Sequence, residues 1–149
     1  MVESEFPECT SFGTVMRFAL ELERVAVVVN SELAADPRLA AGAETFRSLV
    51  ENHKKRGNLL ENTRREKLNE MVLEPISDIV RENYLMQLDL SKDADLKAAA
   101  RHAAMIEETS ARFYNDSAKI AKHLLSEAAR IMERMAKENL VNKAKLEAL

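Results

Sequence analysis

Leu22-Glu23-Arg24-Val25-Ala26-Val27-Val28-Val29-Asn30 and Ile106-Glu107-Glu108-Thr109-Ser110-Ala111-Arg112-Phe113-Tyr114 lie 84 positions apart and share one pattern. Each sets a glutamate on an apolar helical face with a small residue three positions on, Ala26 in the first and Ser110 in the second. A second stretch of helical character follows each. Residues three and four apart share a helix face, so each half predicts a helical hairpin with one inward carboxylate. Two such hairpins side by side form a four-helix bundle whose carboxylates meet in the core.

Composition supports an all-α domain spanning residues 1–149. The chain is 46% hydrophobic and 32% charged, with three Gly, three Pro and no Trp, a balance that suits helices and leaves enough apolar mass for a core. A net charge of −3 and the lack of a long basic run predict no nucleic-acid partner. Cys9 is the only cysteine, which rules out an intrachain disulfide or a cysteine metal cluster. No apolar run approaches the roughly 20 residues of a membrane span. Met1–Pro7 has neither the basic region nor the apolar core of a secretory signal. A soluble cytoplasmic protein is the expectation.

Along the chain, residues 1–10 read as an irregular arm. Helix 1 is predicted to start near Ser11 or Thr14 and run to about Ala35, with Met16, Ala19, Leu20, Glu23, Ala26, Val27 and Asn30 inward. Asp36-Pro37 ends it and caps the next, since Asp accepts first-turn N–H groups and Pro suits that turn. Helix 2 runs to about Asn69, with Phe46, Leu49, Val50, His53, Arg56 or Gly57, and Leu60 inward. Residues 70–91 form a long crossover between helices 2 and 3, broken at Pro75 and carrying a short extra helix from Ile79 to Leu88. Ser91 or Asp93 caps helix 3, which runs to about Ala121. The turn into helix 4 falls at Lys122–Leu125, with Ser126 as its cap and Ile131, Met132, Met135, Ala136, Asn139 and Leu140 inward. The last turns, rich in Lys, are expected to fray.

These residues resemble the rubrerythrin branch of the ferritin-like superfamily over roughly residues 14–62 and 94–142. Glu107-Glu108-Thr109-Ser110-Ala111-Arg112-Phe113-Tyr114 is similar to its Glu-x-x-Ala-x-x-Phe-Tyr pattern, and Phe46–Glu61 to its second-helix segment in apolar spacing. The resemblance implies an up-down bundle with the long crossover, a homodimer, and a diiron centre with one Glu from each of helices 1 and 3 and a Glu-x-x-His pair from each of helices 2 and 4. Glu23 and Glu107 match the single-Glu positions. The paired positions hold His53 with Arg56, and Asn139 with Asn142. No Glu in the chain has a His three positions after it, so no other register restores a pair.

Charge makes the loss larger. Two divalent ions bring four positive charges, and Glu23 and Glu107 offer only two negative ones, while Arg56 adds a cation that cannot be deprotonated. An unpaired guanidinium in a dry core is costly. Arg56 is therefore expected to take the metal's space and bridge Glu23, Glu107 or both, with hydrogen bonds from Asn139, Asn142, His53 or Tyr114 completing a polar plug.

Neighbouring groups read more plainly. Glu21, Glu51, Glu108 and Glu138 point away from the inward positions and are expected to be solvated. His102 and His123 lack acidic partners at ligand spacing. The run His53-Lys54-Lys55-Arg56, with Arg64 and Arg65 beyond it, is offset by Glu51, Glu61 and Glu66 and reads as a solvated face. Nothing near Cys9 in sequence lowers its pKa.

Three functions follow. The first is a bundle without diiron chemistry, cofactor or catalytic residue that serves as a structural or protein-interaction module. The second is a residual metal protein holding iron, manganese or zinc on Glu23, His53 and Glu107, in iron handling or oxidative stress, where any activity would be oxidoreductase-like. The third is a small-molecule binder using a core pocket beside Tyr114.

Overall fold

The computed structural model describes residues 2–67 and 74–149, and among these every regular element is helical. Four α-helices are present: α1 Phe12–Ala35, α2 Ala43–Lys67, α3 Leu96–Leu124 and α4 Ser126–Glu147. A 3-10 helix, Pro37–Gly42, joins α1 to α2, and a single 3-10 turn, Arg81–Tyr84, sits before α3. Helix α1 packs along α2 and α3 along α4. The two pairs meet through α1 against α3 and α2 against α4.

Local chemistry sets most of the ends. Ser11 caps α1 in a reciprocal box with Thr14, each side chain taking a backbone N–H of the other residue. The Asp36 carboxylate accepts from Arg38 N at 2.9 Å, and Pro37 fills the first turn beyond it. That turn is 3-10 rather than α, so the second long helix starts at Ala43 instead of Pro37. At Gly42 an added Cβ would stand 2.7 Å from Leu96 and 3.2 Å from Leu149, so the start of α2, the start of α3 and the chain's last residue share one end of the bundle.

Other expectations are corrected. Asp95, not Ser91 or Asp93, caps α3, accepting from Ala98 N at 2.8 Å, while Ser91 and Asp93 bond to each other. Ser126 is the first residue of α4 rather than its cap. Leu125 alone breaks the chain in extended backbone, without a side-chain bond. Helix α4 continues to Glu147. The helix expected over Ile79–Leu88 is only the Arg81–Tyr84 turn. Ile79, Tyr84 and Leu88 are buried at uneven spacings while Val80 and Leu85 are exposed, so the segment has no helical face to bury. The end of helix 2 near Asn69 and the Met71–Leu73 part of the connection lie outside the described residues.

The N-terminal arm is irregular, as read, but it is tied down. Phe12 N donates to Glu74 O and Ile76 N to Thr10 O, pairing the arm's end with the linker around Pro75. Phe6 packs on Phe18 with ring centres 4.6 Å apart and tilted by 37°, and Val2 N donates to the Asp89 carboxylate at 2.8 Å. This cover widens the buried side of α1. Phe12, Val15, Phe18, Leu22, Val25 and Val29 join Met16, Ala19, Glu23, Ala26 and Asn30 inside, while Leu20 and Val27 are only half-buried. On α4, Leu140 is 50% exposed rather than inward, and Asn142 is buried in its place.

The apolar core falls into two clusters. One gathers Phe12, Met16, Phe18, Leu22, Leu60, Phe113, Met132 and Met135. The other gathers Val25, Val29, Phe46, Leu49, Ala103, Ile106 and Leu146. On every helix the residues between the clusters are polar: Glu23 on α1, His53 and Arg56 on α2, Glu107 on α3, Asn139 and Asn142 on α4. The bundle is thus two apolar halves with a polar layer between them.

Candidate functional site

Helical spacing alone brings this layer together. Glu23 lies between Ala19 and Ala26 on the buried face of α1, Glu107 between Ala103 and Ala111 on α3, and Asn139 one turn from Ala136 on α4. The small neighbours leave room for long polar side chains to cross between helices. Arg56, rather than Gly57, faces inward from α2, three residues from His53. All seven residues of the expected site and plug are at most 5% exposed.

His53 is the bridge between the carboxylates. Its Nδ1 lies 2.6 Å from Glu23 Oε1 and its Nε2 2.7 Å from Glu107 Oε2. Both nitrogens facing carboxylates call for both to carry protons, which makes the ring an imidazolium. Burial alone would lower its pKa, but Glu107 and Glu23 more than offset that and raise it from 6.5 to about 9.

Arg56 supplies the second cation. Its Nη2 donates to Glu23 Oε2 at 3.1 Å and to Asn139 Oδ1 at 2.9 Å, and its guanidinium carbon lies 5.4 Å from the centre of the Tyr114 ring. It pairs with Glu23 and does not touch Glu107. Burial would push the Glu23 carboxyl up, but Arg56 and His53 hold it below the ordinary carboxylate value. The Tyr114 hydroxyl donates to Glu23 Oε2, and burial with the Glu23 charge beside it drives the phenol well above its usual range.

Glu107 is held from α4. Asn139 Nδ2 and Asn142 Nδ2 donate to its Oε1 at 3.0 and 2.9 Å. Asn139 therefore relays from Arg56 on one side to Glu107 on the other. Asn142 also donates to Asn52 Oδ1 at 3.0 Å. Asn52 is the member that sequence reasoning missed. It sits next to His53 and so about 100° round the helix, and nothing in its spacing marks it.

Two carboxylates thus face one imidazolium and one guanidinium, and the layer is neutral by itself. A dinuclear metal centre does not fit it. Both ring nitrogens of His53 are committed to carboxylates, and the fixed cation of Arg56 occupies the Glu23 oxygen that a metal would use. Among the described residues no group of three or more His, Cys, Asp or Glu is arranged to hold a metal ion. The space beside Tyr114, where a small-molecule pocket was expected, holds Arg56 and the edge-on ring of Phe113 at 5.7 Å.

The other candidates lie elsewhere. Glu51 and Glu108 are exposed and Glu138 is half-buried. Glu21, expected in solvent, is 9% exposed, because the arm folds over it: Glu5 N donates to it at 2.5 Å and Arg24 pairs with it at 2.7 Å. His123 is exposed, and His102 meets Leu88 O at 3.0 Å. Cys9 is buried, and that burial raises its thiol to about 11, which favours the protonated form. No described helix is long and apolar enough to cross a membrane. No family model, curated protein or solved structure matches the chain.

Proposed function

We propose that this chain is a ferritin-like bundle of the rubrerythrin type in which a neutral hydrogen-bonded layer has replaced the metal centre, leaving a structural or protein-interaction module. The observation that carries this reading is the His53 bridge between Glu23 and Glu107, with Arg56 balancing the second charge. A layer already neutral gives divalent ions little electrostatic gain, and loading would have to expel a buried arginine.

The end shared by Gly42, Leu96 and Leu149 supports the up-down topology. With α2 and α3 starting together, the connection between them must travel the length of α2, about 37 Å at 1.5 Å per residue. Extended chain covers such a distance economically, in keeping with the described residues 74–95, which are non-helical apart from Arg81–Tyr84. A homodimer through helix faces belongs to the same proposal, and sedimentation of the purified chain tests it.

The decisive experiment is anaerobic ferrous loading, followed by elemental analysis and an optical spectrum in air. The expected result is no stoichiometric iron and no oxo-bridged absorption. The convergence of Glu23, His53 and Glu107 from three helices favours one competing reading, a single residual metal. Stoichiometric uptake of iron, manganese or zinc that vanishes in Glu107→Ala would establish that reading in place of ours.

A further inference from the structure

We infer that the outer ridge of α4 is a docking surface for an acidic amphipathic helix. Arg130, Arg134, Lys137, Val141 and Lys145 follow one another at spacings of four, three, four and four, so they form one ridge along the solvent side of α4, and all five are exposed. Leu140 and Ala144 run beside it. Leu140 and Val141 are 50% and 56% exposed, half of the large apolar side chains exposed among the described residues. Helical phase leaves them outside: Asn139 and Asn142 point to the centre of the bundle, and the two residues between them must face out.

A lone exposed leucine or valine is ordinary. Here two adjacent ones sit within a row of four cations, none of which pairs with a carboxylate among the described residues. Elsewhere on α4, Lys143 pairs with Glu108 at 3.7 Å and Glu133 with Lys122 of α3 at 3.2 Å. This is a concentration of free positive charge on a chain whose net charge is −3.

Charge selects the occupant. Laying α4 antiparallel on a second copy about Val141 sets Lys137 against Lys145, so self-pairing is repulsive. The ridge has no aromatic side chain to anchor in a bilayer or stack on bases, and phosphate would leave Leu140 and Val141 without a partner. A helix with small aliphatic residues at its centre and Asp or Glu on its flanks satisfies both halves of the surface. Its apolar residues would cover Leu140, Val141 and Ala144, and its carboxylates would reach Arg134, Lys137 and Lys145.

The probe is a labelled synthetic helix of about 18 residues, some 27 Å long, with leucines at helical spacing and flanking glutamates. It is titrated with the full chain by fluorescence anisotropy. Saturable binding is expected that weakens about tenfold or more between low and high salt and in R134E/K137E. L140S/V141S should weaken it as well, and a lysine-for-glutamate version of the peptide should not bind. All four substituted positions are exposed, and circular dichroism checks that both variants remain folded. No saturable binding of the acidic helix, equal binding of the lysine version, or unchanged affinity in either variant overturns the proposal. So does a ridge that takes only phosphatidylserine vesicles, duplex DNA or a second copy of the chain.

Discussion

Glu23 accepts from His53, Arg56 and Tyr114, so removing its carboxylate leaves Arg56 without an ion-pair partner, His53 with Glu107 alone and the Tyr114 hydroxyl without its acceptor. Breaking a buried pair by deleting one partner costs about 3–5 kcal/mol. Glu23→Ala is expected to lose stability on that scale in urea denaturation, whatever metal is present. Combining Glu23→Gln with Arg56→Met removes both charges of the pair and should cost less than the sum of the single changes. Additive losses would mean that the two residues do not interact. At this scale most of the site was legible in the sequence. The absence of any Glu-x-x-His pair is plain in the sequence, whereas spacing left Arg56 or Gly57 as the inward residue and only the resemblance set Arg56 at a ligand position. Which carboxylate each cation takes did not follow, because it depends on side-chain reach across helices. His53 spans both acids only because its two ring nitrogens reach Glu23 on α1 and Glu107 on α3.

The helices themselves offer a paired comparison. Gly57 lies in the interior of α2, where an added Cβ would meet only Glu23 Cβ, at 3.8 Å. Gly57→Ala should stabilise the chain by about 0.5–1 kcal/mol, the usual helical preference for alanine over glycine. Gly42→Ala should destabilise, since its Cβ would stand 2.7 Å from Leu96 and 3.0 Å from Phe46. Thermal melting of the two variants separates the effects, and a stabilised Gly42→Ala would show that Leu96 yields freely. The four long helices were readable from apolar periodicity, and the Ser11 and Asp36 caps from their residue types. The corrected ends, at Asp95 and at Leu125, lie where several candidate capping residues crowd together or none is present. At the first the Asp95 carboxylate wins because it reaches Ala98 N, and at the second extended backbone at Leu125 breaks the helix with no side-chain cap.

Across the whole molecule the polar layer couples stability to pH. His53 is held up to about 9 in the folded chain against an ordinary value of 6.5. The folded state therefore keeps a proton that the unfolded state gives up. That contribution is fully present below pH 6.5 and is lost as pH rises through about 9. Melting temperature should fall across this interval in the parent chain and fall less in His53→Gln, and equal slopes would show that His53 is not the titrating group. The sequence by itself determined that the chain is helical, broadly where its four long helices run, and that Glu23, His53, Glu107 and Asn139 lie on buried helix faces. Periodicity and residue chemistry suffice for that, because each helix buries one face whatever its neighbours are. Only the tertiary structure decided that these residues meet in one layer with Arg56 and Asn142, that His53, and not Arg56, joins the two carboxylates, that Asn52 belongs to the layer, and that the arm buries Glu21 and Cys9. Those outcomes depend on distances between segments far apart in the chain, which the packing of the helices sets and no local pattern encodes.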